Sequence, residues 1–66
     1  MTPTEFKKFA SENQKAFFAK YPKPSRSGPR GFWKQSVQHA NNALEDNDWQ
    51  AETFSKAAAQ IQKMMS

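Results

Sequence analysis

Tyr21–Gly31 reads YPKPSRSGPRG, and this stretch governs how the rest of the chain can be arranged. Three prolines and two glycines fall within eleven residues. Proline fixes φ and lacks the N–H that a helix interior needs. The residue before each proline is pushed towards extended backbone. Residues 21–31 are therefore read as a basic, Pro-rich loop. It is long for a connection between packed helices, a length that usually goes with a functional or mobile loop.

Upstream of the loop, Thr2-Pro3-Thr4-Glu5 is a helix start. Thr2 is the cap, Pro3 suits the first helical position, and Glu5 completes a capping box. Phe6, Phe9, Ala10, Asn13, Ala16, Phe17 and Tyr21 then recur at helical spacing, while Lys7, Lys8, Ser11, Glu12 and Lys15 fall largely on the other side. The pattern predicts an amphipathic helix over about 3–20. Phe18, about 100° from Phe17, widens its apolar stripe.

Downstream, Trp33, Val37, Ala40 and Leu44 repeat at intervals of four, three and four, which predicts a second helix over about 32–45. Asp46-Asn47-Asp48 interrupts the pattern. Asp48 is the expected cap of a third helix over about 49–64, with Glu52 in its first turn. Phe54, Ala58, Ile61 and Met65 form its seam, with Ala51 and Ala57 alongside. So short a turn makes helices two and three antiparallel neighbours, and their alanines invite close approach. The first helix is expected to pack across this hairpin.

The whole is one all-α domain of three helices: an N-terminal amphipathic helix joined by the basic loop to a C-terminal antiparallel hairpin. Its expected core is Phe9, Phe17, Trp33, Val37, Leu44, Phe54, Ala58 and Ile61. Ala40–Trp49 resembles the hairpin of a tetratricopeptide repeat. The Ala and Phe positions after Trp49 are displaced from that pattern, and one unit cannot build a solenoid.

Sixty-six residues leave room for one domain. Leu, Ile and Val occur once each, so the nine aromatic residues must supply most of the buried area. A domain this small buries only about 60% of the surface of its unfolded chain. It has no cysteine, so no disulfide adds to its stability. That shortfall is a motive for association with a partner or with itself. The lone His39 does not make a protein-only zinc site. The Glu45, Asp46, Asp48, Glu52 cluster lacks the glycine and alternation of a calcium loop and is read as helix capping plus solvated charge. No metal and no cofactor are expected.

The net charge is +4, unevenly spread. Between Glu12 and Glu45 there is no acidic residue, whereas the part from Glu45 onward is net negative. Lys20, Lys23, Arg26, Arg30 and Lys34 lie in the acid-free interval and form the candidate surface for an anionic partner. Phe18, Tyr21 and Phe32 at the loop edges are the candidate aromatic contacts. The competing reading is a solvated loop whose charges keep the protein soluble, with the aromatics in the core.

Catalysis is not expected. His39 has no motif around it that would supply a nucleophile or carboxylate within reach. Ser25–Gly31 has glycines but neither the spacing nor the Lys-Ser/Thr pair of a phosphate loop. No small-molecule substrate is expected, and no apolar run is long enough for a membrane span. The chain reads as a cytoplasmic protein of the kind encoded by small bacterial or phage reading frames. Its expected role is a non-enzymatic accessory or regulatory protein that binds a macromolecule, in the first place a protein. Nucleic-acid binding through Lys20–Lys34 is the alternative, and a structural or assembly subunit the third reading.

Overall fold

A computed structural model describes residues 1–24 and 27–66. Three helices follow one another: α1 (Pro3–Lys20), α2 (Pro29–Asp46) and α3 (Ala51–Met65). Among the described residues there is no strand. The domain measures 32 × 21 × 16 Å.

The start of α1 is the capping box expected from its sequence. The Glu5 N–H donates to Thr2 Oγ1 at 3.1 Å, and the Thr2 N–H donates to Glu5 Oε1 at 2.8 Å. Two helix-end donors are thereby satisfied reciprocally. These bonds from Thr2 to the ionised carboxylate hold the Glu5 pKa below its ordinary value, the backbone bond contributing most.

The start of α2 corrects the loop reading. The helix begins at Pro29, so Pro29, Arg30 and Gly31 are helical and the connection is correspondingly shorter. Proline at the first helical position loses no hydrogen bond, because that N–H has no partner inside the helix anyway. Gly28 is the N-cap, at φ +86°. A Cβ there would meet nothing within 4 Å, so backbone conformation rather than space favours glycine.

The α2–α3 turn differs too. Asn47 takes the left-handed conformation (φ 57°), and its N–H donates to the Ala43 carbonyl. Asparagine tolerates that region better than most residues, so it ends the helix. The cap of α3 is Gln50, not Asp48, and it makes no side-chain capping bond. Trp49 lies outside the helix, half-buried, with its ring 6.5 Å from Phe54.

Helix α1 packs against both other helices, while α2 and α3 touch each other least. The expected close approach of α2 to α3 is therefore not what holds the fold. The buried core is Phe6, Ala10, Phe17, Ala40, Ala43, Phe54, Ala58 and Ile61. Of the expected core residues, Phe17, Phe54, Ala58 and Ile61 are buried. Phe9, Trp33 and Val37 are half-buried and packed against them. Leu44 is a correction, being 44% exposed. The deepest line of α2 runs through Ala40 and Ala43, an i, i+3 pair, and Leu44, about 40° from Ala40 and 100° from Ala43, stands at its edge. Small side chains occupy the buried line, and the large ones of α2 flank it.

Candidate functional site

Two regions of the surface carry chemistry: the end of the bundle where α1 meets α2, and the cleft between α2 and α3.

At the first, the chain gathers its aromatics. Phe18 and Trp33 meet edge-on at 4.8 Å, Phe17 and Tyr21 at 5.1 Å, and Phe17 and Trp33 at 6.4 Å. Phe18 was expected as an exposed contact. It is half-buried, and the Arg30 guanidinium covers its ring at 4.0 Å. The same guanidinium donates from Nη1 to the Pro22 carbonyl at 3.0 Å. Arg30 thus fastens the connection back onto α1 through one hydrogen bond and one cation–π contact. Tyr21 is engaged as well: its hydroxyl donates to the Met64 carbonyl at 2.5 Å, tying the end of α1 to the end of α3. Lys20 Nζ donates to the Ser66 main-chain oxygen at 2.8 Å and lies 5.8 Å from the Tyr21 ring.

The five cations proposed as one anionic-partner surface therefore divide. Arg30 and Lys20 are occupied by intramolecular contacts. Lys23 and Lys34 are exposed, with no partner among the described residues. Arg26 lies outside the described residues. The aromatics Phe18 and Tyr21 face inward contacts rather than a stacking partner.

The second region was not foreseen. Because α2 and α3 each lean on α1, their facing sides stand apart and leave an open cleft of about 590 Å³. Helix α2 contributes Phe32, Gln35, Ser36 and His39, and α3 contributes Thr53, Phe54, Lys56, Ala57 and Gln60. Phe54 forms a fully buried floor, and Phe32 and Ala57 are half-buried. His39 is exposed, with its ring 5.3 Å from that of Phe54. Lys56 pairs with Glu52 at 3.2 Å on the solvent side. Both partners are more than 70% exposed, so the pair contributes little. Of the expected aromatic contacts, only Phe32 lies in this cleft.

No hydrogen bond joins His39 to Ser36 or Thr53 among the described residues. No group of three or more His, Cys, Asp or Glu is placed to hold a metal among the described residues. No helix is long and apolar enough to cross a membrane, again among the described residues. The signal for the cleft was present in the sequence as a second periodic line, 32–36–39 facing 53–57–60. Its mixed Phe, Ser, His and Thr, Ala, Gln composition hides it from a search for apolar repeats. No family model matches the chain, and no curated protein or solved structure is significantly similar to it.

Proposed function

We propose that this protein acts by binding another protein and not by catalysis, with the α2–α3 cleft as its contact surface. The observation that carries the reading is the separation of α2 from α3 over an aromatic floor. Two helices that pack mainly on a third leave a groove of the shape that receives an apolar side chain or a further helix. Its size falls within the range of ordinary binding clefts. Its lining combines a few large apolar groups with a polar rim, as protein contacts do. A cytoplasmic location belongs to the same reading, since a chain without cysteine suits a reducing compartment.

The second reading, nucleic-acid binding at the basic end, is supported by exposed Lys23 and Lys34. It has lost Arg30 and Lys20 to internal contacts.

One experiment separates the two readings. The tagged protein and a Thr53→Gln/Ala57→Gln variant, whose added side chains fill the cleft, are used for affinity capture from source cells with nuclease present. Protein binding at the cleft predicts a partner that survives nuclease and is lost with the variant. Material removed by nuclease, weakening steeply with salt by a slope of about −0.9 per neutralised phosphate, would establish the nucleic-acid reading instead.

A further inference from the structure

The Arg30–Phe18 contact fixes how the outer faces of α1 and α2 meet, and lysines gather around it. Arg30 covers the Phe18 ring at 4.0 Å and Trp33 meets it at 4.8 Å, so the end of α1 lies beside the start of α2. Lys15 stands one turn before Phe18 on α1, and Lys34 one turn after Arg30 on α2. Lys23 follows Pro22, whose carbonyl Arg30 holds. Lys8 continues the line of Lys15 two turns back along α1, about 10 Å away, with exposed Ser11 between them. All four lysines are exposed, and none has a hydrogen-bond or ion-pair partner among the described residues. One acidic residue intrudes: Glu12, a turn from both Lys8 and Lys15, forms an ion pair with neither.

We propose that this outer face of α1 and α2 binds the sugar–phosphate backbone of duplex nucleic acid. A backbone ligand is held by cations that no internal contact occupies, and Lys8, Lys15, Lys23 and Lys34 meet that condition. A duplex carries one negative charge per about 1.7 Å of axis, dense enough to neutralise all four together. Other anionic partners fit the face less well. The rings that could stack on unpaired bases, Phe18, Tyr21 and Trp33, are half-buried and engaged with one another, with Phe17 and with Arg30, so a single strand finds no platform. Leu44, beyond the lysines, is the one large hydrophobic residue exposed among those described. The face therefore has no apolar group to enter a bilayer. Nor has it the aromatic or aliphatic anchor of a protein interface, where lysine is depleted. The proposal deepens the second reading of the basic end by moving the contact from the loop to the helices, and it needs neither Arg30 nor Lys20. None of the four lysines lines the cleft, so a protein can be held there at the same time.

Fluorescence anisotropy of the purified protein with a short labelled duplex of mixed sequence tests the proposal. Four neutralised phosphates give a slope of about −3.5 in log affinity against log salt, a loss of roughly a hundredfold between 50 mM and 200 mM. Backbone contacts carry no sequence information, so a second duplex of unrelated sequence should bind equally well. Lys8→Gln/Lys15→Gln should bind at least tenfold more weakly at low salt, with the slope reduced by about two and helical circular dichroism unchanged. Lys56→Gln/Lys63→Gln removes as much charge from α3 and should stay within about threefold of the parent, because its charges lie off the face. Glu12→Gln should tighten binding. Absence of binding at 50 mM salt overturns the proposal. So does an equal loss in both double variants, which would mean net charge alone, or a preference for the single strand over the duplex. Binding to phosphatidylserine vesicles in place of the duplex would assign the face to a membrane surface and overturn it as well. Duplex binding that survives Lys8→Gln/Lys15→Gln and fails in Lys23→Gln/Lys34→Gln would overturn the helical face alone and return the contact to the basic end of the second reading.

Discussion

The two sides of α2 have opposite fates. Towards α1 it presents Trp33, whose ring meets Phe17 and Phe18, with Val37 packed against the core beside it. Towards α3 it presents Phe32, Ser36 and His39, which stop short of closing and line a cleft. The difference follows from side-chain supply. Four phenylalanines lie on α1, and a buried phenylalanine contributes roughly 1.5–3 kcal/mol through area alone. Around Phe32 and Phe54 the α2–α3 side offers serine, threonine, glutamine and alanine, which have little apolar area to bury. One helix therefore organises the bundle, and the pair it organises keeps an unfilled face.

The sharpest way to break this comparison is at Phe17, which is fully buried and lies within ring contact of Phe18, Tyr21 and Trp33. Phe17→Ala should cost about 3–5 kcal/mol. For a domain of this size that amounts to unfolding at ambient temperature, read by urea titration or thermal circular dichroism.

Arg30 comes next. Losing its hydrogen bond to Pro22 and its seat on Phe18 should cost about 1–2 kcal/mol in Arg30→Ala. An exposed basic residue held only for a partner would cost nearer 0.5 kcal/mol. Arg30→Lys keeps the charge but not the planar fork, and should recover less than half of the loss.

Leu44 then measures where the core ends. Because the side chain is 44% exposed, Leu44→Ala should cost about 1 kcal/mol or less. A loss of about 2–5 kcal/mol, typical of a buried leucine, would put the apolar seam of α2 back through Leu44.

The smallest effect is at the capping box. Glu5 has a folded-state pKa below its unfolded value, so it stabilises the fold above the unfolded value. That contribution is lost as pH falls through the lowered one. The protein should therefore weaken in the window below pH 4.5, and Glu5→Gln should flatten that part of the stability curve. A pH dependence unchanged by the substitution would mean that Glu5 does not bond Thr2 in solution.

Much of this was legible in the chain. Helix α1 was readable from cap to end, because its start signal and its phenylalanine spacing agree with each other. The three-helix order was readable because proline and glycine on one side, and Asp-Asn-Asp on the other, leave no other division. What escaped was set by tertiary context. Pro29 and Gly31 looked like breakers, yet a helix accepts proline in its first turn, where no hydrogen bond is lost. Trp33, Val37, Ala40 and Leu44 gave a regular seam, but burial follows the smaller Ala40 and Ala43 and leaves Leu44 44% exposed. For the candidate site, the charged residues were visible but their occupation was not. Only three dimensions bring Arg30 over Phe18 and Lys20 to Ser66. The cleft was invisible because its lining residues are polar and apolar in turn.

The account stands most directly on whether the α2–α3 face is spare. Equilibrium urea unfolding of Thr53→Gln/Ala57→Gln at low micromolar concentration measures this without reference to any partner. Both positions line the cleft, and glutamine is a good helix former, so stability should stay within about 0.5 kcal/mol of the parent. A loss of about 2 kcal/mol or more, as overpacking of a closed interface produces, would contradict an open cleft and the binding role built on it.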